Sequence, residues 1–449
     1  MGRLFGTDGA RGVANQELTC ERAMEIGRAT AMVLGAGHDR RKTFVIGKDT
    51  RLSSDMLETA LAAGLCSVGA DVLLLGVVPT PAVAYLISKY QADAGFMISA
   101  SHNPFEYNGI KIFNHEGYKL PDATEEEIEA IILDHAKPVS LAEGEDLGRV
   151  TRVDSAPDDY ADYICSTVDC RLDGLKVALD CSNGSASVTA HRIFSSLGAE
   201  VIALHDLPNG VNINKDCGST CVGLMTDFVK ENGCDLGLAF DGDADRCLAV
   251  DETGCVVDGD RIIAVIADHF KELGRLADEV AVVTVMSNIG FFRFAKEHGI
   301  KVEVTKVGDR YVLEKMREKN YSIGGEQSGH IIFKDFATTG DGELTGLQLM
   351  AVMQRTGKKL SELSQIMKVY PQVLVNVRVS ADGKERLAGD SEVQEAIRAV
   401  ESTLGEDGRI LVRCSGTEPL IRVMVEGSNE EQIGVLANRV ADTIRLRLA

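Results

Sequence analysis

No apolar run in this chain approaches the ~18 residues a membrane-spanning helix requires, so no membrane span is expected. The opening MGRLFGTDGARG lacks the basic-then-apolar pattern of a secretory signal, which makes a cytoplasmic location the expectation. No C-x-x-C occurs among the eleven cysteines, and their odd number and scatter argue against a full disulfide framework. Cys217 and Cys221, in CGSTC, are the closest pair of interest. A zinc site would need two further ligands, and none is evident near them in sequence. Ordinary buried or half-buried thiols are the expectation. No Lys/Arg cluster offsets the formal charge, in which 47 basic residues stand against 68 acidic ones to give −21. Such a field repels nucleic acid and anionic lipid. An anionic substrate would demand a local cationic pocket built against that background.

What is present is the composition of a globular protein, with 45% hydrophobic and 26% charged residues. A length of 449 residues predicts several domains. Strand-like runs at 43–49, 71–78 and 95–101 alternate with helical spacing at 20–36 and 53–69, and the alternation restarts at 175–184 and 279–288. That pattern implies three α/β units with mixed or parallel sheets. The last stretch differs: strands at 373–381, 409–416 and 420–427 with helices at 391–404 and at the end predict an α+β unit of order β-α-β-β-α. Turn-rich segments place the expected boundaries at 1–152, 153–253, 254–367 and 368–449.

The chemistry gathers in loops. GFMISASHNPFEYNGIKIF, at 95–113, reads as a buried strand that breaks into Ser99, Ser101, His102 and Asn103, with Asn108-Gly109 expected as a tight turn before a second apolar run. No G-x-S-x-G elbow accompanies these serines, so an α/β-hydrolase reading lacks its main sign. In DGDADR, 241–246, Asp241, Asp243 and Asp245 stand at alternate positions between two strands. Three converging carboxylates repel one another unless a cation neutralises them, and hard divalent cations prefer oxygen ligands. An EF-hand would place glycine where Arg246 stands, and its flanks would be helical. GGEQSGHIIF, 324–333, combines flexible glycines with Glu326, Ser328 and His330, a donor and acceptor set suited to sugar hydroxyls. RCSGTEPLIR, 413–422, brackets a small turn of Ser415, Gly416 and Thr417 with Arg413 and Arg422, a pattern suited to phosphate. Arg11 in FGTDGARG and Lys111 in NGIKIF add cations near strand ends. Together these parts describe an enzyme that handles a sugar phosphate and has a serine able to carry phosphate.

FGTDGARG, ISASHNP with NGIK, DGDADR, GEQSGH and RCSGTEP resemble, in that order and across essentially the whole chain, the loops of the α-D-phosphohexomutases. The resemblance implies four domains around a central cleft, three similar α/β units and a smaller mobile C-terminal one. It implies that Ser101 is a phosphoserine, phosphorylated by autophosphorylation or a kinase, and that Asp241, Asp243 and Asp245 hold one Mg²⁺ together with an oxygen of that group. Arg11 and Lys111 would stabilise the transferring phosphoryl group, with Lys111 and His330 both open as the general base. Arg246 would contact phosphate, and Glu326 and Ser328 the sugar. Arg413, Ser415, Gly416, Thr417 and Arg422 would grip the phosphate that does not react. Gln327 points to the amino-sugar branch: interconversion of glucosamine 6-phosphate and 1-phosphate through the 1,6-bisphosphate, for cell-wall precursor synthesis, by a homodimer. Glucose or mannose phosphates, phosphate hydrolysis, and non-catalytic sugar-phosphate binding are the alternatives. DGDADR departs from the family's commoner DGDGDR at Ala244, and because alanine disfavours positive φ the loop is expected to hold φ below zero there.

Overall fold

The computed structural model describes residues 3–6, 8–34, 41–415 and 419–449. Among these the strands form four sheets. The chain gathers into two compact units, Met1–Met286 with Ile300–Ile366, and Ser287–Gly299 with Met367–Ala449. No helix among the described residues is long and apolar enough to cross a membrane.

Three sheets belong to the first unit. In spatial order the first runs Ala10–Val13, Tyr107–Asn114, Ala94–Ile98, Thr43–Lys48, Asp71–Val77 and Val150–Arg152. AGFMI at Ala94–Ile98 is buried at every position, as an inner strand packed by helices Leu52–Ser67 and Thr80–Lys89 must be. Tyr107–Asn114 runs antiparallel to both its neighbours. The expected turn at Asn108-Gly109 is therefore not there: both residues lie inside this strand, opposite Gly12 and Arg11. Local turn preference loses here to sheet pairing. Glycine is needed at 109 for another reason, since a Cβ there would meet the Ser99 carbonyl oxygen at 2.6 Å and Arg11 Cγ at 2.9 Å.

The second sheet runs Val256–Val257, Cys247–Asp251, Leu236–Phe240, Lys176–Asp180 and Glu200–Leu204, and the third Lys301–Thr305, Val280–Thr284, Ile323–Gly325 and Ile331–Phe333. One device recurs in all three. A strand parallel to its inner neighbour turns back into an antiparallel partner, and the turn carries a motif: SASHNP after Ala94–Ile98, DGDADR after Leu236–Phe240, and EQSGH after Ile323–Gly325. The fold thus presents three chemically different loops from three copies of one hairpin.

In the second unit Gln372–Arg378, Leu420–Gly427 and Gly408–Cys414 form an antiparallel sheet. Its core of Val377, Val423, Ile433, Val440 and Ile444 is covered by helices Ser391–Leu404 and Glu430–Leu448. A short helix, Ala381–Arg386, precedes them, and sequence periodicity does not reveal it. Ser287–Gly299 joins this unit through Asn288, which donates to the Tyr370 carbonyl at 2.9 Å and accepts from the Tyr370 amide at 3.0 Å.

Candidate functional site

Ser101 sits at the start of its hairpin turn, buried, with φ at 52°, a conformation that a non-glycine residue holds only when its surroundings enforce it. The enforcing contacts fall on its backbone. Arg51 Nη2 donates to the Ser101 carbonyl at 3.0 Å and to the Asn103 carbonyl at 2.6 Å, and Asn214 Nδ2 donates to the same two oxygens at 2.8 and 3.0 Å. Arg51 is itself buried and paired with Asp49. Neither Arg51 nor Asn214 was singled out from the sequence. KDTR at a strand end was the available signal, whereas nothing local marks Asn214.

The Ser101 hydroxyl donates to Asp241 Oδ2 at 2.6 Å. Gly242 lets the two loops meet, because a Cβ there would lie 2.7 Å from the Ser101 carbonyl oxygen. His102 Nδ1 lies 3.3 Å from Ser101 Oγ and 3.4 Å from an Arg246 nitrogen. Burial, then the charges of Arg246 and Arg11, push that ring down to about 4, so it is neutral.

Each of Asp241, Asp243 and Asp245 places an oxygen within 4.8 Å of the others, and all three are buried. Burial, then the charges of Asp245 and Asp243, push Asp241 up to about 8. Asp243 Oδ1 and Asp245 Oδ1 are buried without a hydrogen-bond partner. Orphaned carboxylate oxygens turned toward one point, with a carboxyl driven toward protonation, fit a hard divalent cation.

The turn that aims them has φ at 54° at Ala244, positive rather than negative. Its amide donates to the Asp241 carbonyl at 3.0 Å within the turn and its carbonyl accepts from the distant Gly342 amide at 2.9 Å, and these two hydrogen bonds override alanine's preference. Ala244→Gly should relieve about 1–2 kcal/mol of left-handed strain and give back about 0.4–1 kcal/mol through the more flexible unfolded chain. A thermal melt should show a small rise in midpoint.

Lys111 is buried and bonds Asp243 at 2.7 Å, Asp8 at 3.1 Å and Asp245 at 3.3 Å. Burial alone would lower it, but Asp243, Asp8 and Asp245 hold it well above the ordinary lysine value. Thr80 Oγ1 also donates to Asp243 Oδ2, at 2.5 Å. Lys119 bridges Asp8 at 2.5 Å and Asp309 at 2.6 Å, and Arg11 pairs with Asp8. Burial raises Asp8, yet Lys111, Lys119 and Arg11 together take it well below the usual carboxylate range. Sequence reading missed Asp8, Thr80, Lys119 and Asp309, although Asp8 stands inside a quoted motif.

His330 Nδ1 lies 3.5 Å from Asp245, while its Nε2 accepts from the Gly340 amide at 3.1 Å and lies 3.7 Å from Asp309. Burial disfavours its charge, but Asp245 and then Asp309 shift it upward overall. With the Nε2 lone pair occupied, the proton sits on Nδ1 facing Asp245. Arg246 donates its amide to Asp241 Oδ1 at 3.2 Å, and the surrounding aspartates hold its charge despite burial. Glu326 accepts from the Gly308 amide at 3.0 Å, and Ser328 is exposed. The Gln327 amide donates to Asp258 Oδ2 at 3.1 Å, so it fastens this loop to the start of helix Gly259–Glu272.

In the second unit Arg413 and Arg422 are direct cross-strand neighbours, and burial followed by the charge of Arg422 lowers Arg413. Ser415 is buried, its amide donating to Leu420 at 2.8 Å. Gly416 and Thr417 lie outside the described residues.

Family models described as phosphoglucomutase/phosphomannomutase match the chain in four parts: alpha/beta/alpha domain I over residues 2–138, domain II over 158–254, domain III over 258–370, and the C-terminal domain over 374–443. Among curated proteins, a phosphoglucosamine mutase of Caldicellulosiruptor bescii is 56% identical over the full length of both chains. One of Clostridium novyi is 54% identical over 99% of each. Among solved structures, a phosphoglucomutase/phosphomannomutase family protein of Burkholderia thailandensis superposes with a TM-score of 0.83 at 25% identity, covering 99% of this chain and 98% of that one.

Proposed function

Because this chain belongs to the phosphoglucomutase/phosphomannomutase family, the α-D-phosphohexomutases, we propose that it is an isomerase interconverting glucosamine 6-phosphate and glucosamine 1-phosphate. The full-length likeness to curated phosphoglucosamine mutases supports the choice of sugar. The observation that carries the chemistry is the Ser101 hydroxyl held 2.6 Å from Asp241 inside a buried cluster of carboxylates and cations.

Asp241, Asp243 and Asp245, with an oxygen on Ser101, would hold Mg²⁺. When bound, that ion supplies positive charge to the transferring phosphoryl group. The remaining work belongs to side chains. Phosphorylated Ser101 gives its phosphoryl group to the 1-hydroxyl of the sugar, breaking P–Oγ and forming P–O1. The proton lost from O1 ends, in net terms, on Ser101 Oγ, whose hydroxyl then donates to Asp241 Oδ2. The 1,6-bisphosphate then turns over and returns its 6-phosphate to Ser101. Lys111, protonated by its three carboxylate neighbours, serves as a charge stabiliser rather than as the proton acceptor, and Arg11 adds to it. His330 holds Asp245 in place. Arg246 meets phosphate, Glu326 and Ser328 read the sugar, and Arg413, Ser415, Gly416, Thr417 and Arg422 take the phosphate that does not react. We also assign it a cytoplasmic location and a homodimeric state.

Gln327, tied to Asp258, positions the sugar loop. Gln327→Ala removes one hydrogen bond, worth ~1 kcal/mol. Initial-rate kinetics should therefore show KM for the sugar phosphate rising about fivefold with kcat nearly unchanged.

Phosphorus NMR tests the assignment. Glucosamine 6-phosphate and, separately, glucose 1-phosphate are followed with Mg²⁺ and a trace of the matching bisphosphate. Rapid approach to a mixture of 1- and 6-phosphates for the amino sugar, with slow turnover of glucose, is expected. A preference for glucose overturns the specificity, and release of free phosphate alone overturns the mutase chemistry.

A further inference from the structure

The CGSTC stretch, whose missing ligands left it without a role, acquires two of them in the fold. Asp180 ends the strand Lys176–Asp180, His205 follows the neighbouring strand Glu200–Leu204, and Cys217 lies in the irregular segment before helix Gly223–Asn232. One donor atom from each lies within 4.8 Å of the other two. Asp180 and Cys217 are buried, and His205 is half-buried. We propose that Asp180, His205 and Cys217 form a second metal site, selective for a zinc-class cation and separate from the aspartate triad.

The arrangement is that of ligands aimed at a shared point. His205 Nδ1 lies 3.0 Å from Asp180 Oδ1, yet the nitrogen is buried and makes no hydrogen bond with it. A histidine and aspartate that stabilised each other directly would align N–H with oxygen. Asp180 is fixed from behind, its Oδ1 accepting from the Ser182 amide at 2.9 Å and its Oδ2 from the Gly218 amide at 2.8 Å, which leaves a lone pair on each oxygen. Ser182, His205 and Asp216, none of them glycine, all hold positive φ around the cluster, at 55°, 48° and 55°. Cys221, four residues beyond Cys217 and exposed, donates its amide to the Gly218 carbonyl at 2.9 Å and stands on the same turn; it or a water completes four-coordination.

The donor set decides the metal. Nitrogen, thiolate and one carboxylate suit a borderline cation with tetrahedral preference, whereas Mg²⁺ seeks oxygen alone, as Asp241, Asp243 and Asp245 offer. On binding, the sulfur–metal bond forms as the thiol proton leaves to solvent.

The site also has a reach. The segment between His205 and Cys217 contains Asn214, whose amide donates to the Ser182 carbonyl at 2.9 Å and whose side chain holds the carbonyls of Ser101 and Asn103. A metal joining both ends of that segment fixes the backbone on which Ser101 depends.

The test uses the full chain, stripped with chelator, saturated with Mg²⁺ to fill the oxygen triad, and titrated with Co²⁺. One equivalent should bind with a near-ultraviolet thiolate-to-cobalt charge-transfer band, which an all-oxygen site does not give. Cys217→Ser should abolish the band, His205→Gln should weaken Co²⁺ binding by more than the roughly 10–100-fold that loss of an outer-shell partner costs, and Asp243→Asn should leave the band intact. Zinc should raise the thermal midpoint of the unsubstituted chain and not that of Cys217→Ser, whose midpoint in chelator should match the parent's. If Cys217→Ser does not fold, the half-exposed His205→Gln decides alone. No thiolate band, or a band unchanged by both substitutions, overturns the site.

Discussion

Ser101→Ala is expected to abolish interconversion of the sugar phosphates, with a fall on the order of 10⁴-fold or more, the scale on which removal of a covalent nucleophile acts. The protein should remain folded. Alanine retains the Cβ, so φ at 52° is no more strained than before, and Arg51 and Asn214 still hold the backbone carbonyls. The hydrogen bond to Asp241 and the 3.3 Å contact with His102 Nδ1 are lost. Asp241 is already displaced toward its protonated form by burial and by its neighbours, so losing that donor leaves no new uncompensated charge. Two measurements separate the outcomes. Phosphorus NMR reads turnover, and intact mass after incubation with the bisphosphate reads whether one phosphoryl group is taken up. The variant should show neither turnover nor uptake, with an unchanged melting midpoint. Turnover near that of the parent chain would remove Ser101 from the reaction.

The loops were legible because each packs its chemistry into a few consecutive residues. SASHNP, DGDADR and GEQSGH each show small, polar and charged residues breaking an apolar run, which is how a strand end at a sheet's mouth must read. The alternation of periods gave the three α/β units and the final α+β unit for the same reason. What the sequence concealed is relational. Thr80 reaches Asp243, and Lys119 reaches Asp8 and Asp309, each across 100 or more residues of chain, and no local pattern announces such partners. Asn108-Gly109 has the composition of a turn but serves a strand that must pass close to Arg11. Ala244 has a clear intrinsic preference, and two hydrogen bonds overrule it. Gln327 stands inside a loop motif, yet its side chain faces a helix start. Residue type identified the chemistry, while pairing at long range set its geometry.

Lys111→Met should show how far the site depends on that long-range charge balance. The methionine fills most of the volume but leaves Asp8, Asp243 and Asp245 without their common cation. Removing one partner of a buried ionic cluster costs about 3–5 kcal/mol, so a chelator-treated sample should melt well below the parent chain. Lys119 and Arg11 still face Asp8, which places the deficit on Asp243 and Asp245. A divalent cation at the triad supplies the missing charge, and the variant should gain more from Mg²⁺ than the parent does; at a hundredfold excess over Kd the gain is ~2.7 kcal/mol. The pH dependence has a definite sign. In the parent, Asp8 and Asp245 are held below their ordinary values despite burial, so their contribution is present above the unfolded carboxylate range and fades as pH falls. Without Lys111 the burial that raises Asp245 is less opposed, and protonation relieves that carboxylate. The gap between variant and parent should therefore narrow as pH is lowered from 7 toward 4, and activity should stay depressed at saturating Mg²⁺ because the transferring phosphoryl group still lacks the lysine. Equal midpoints for the two proteins in chelator at neutral pH would mean that Lys111 does not balance these carboxylates.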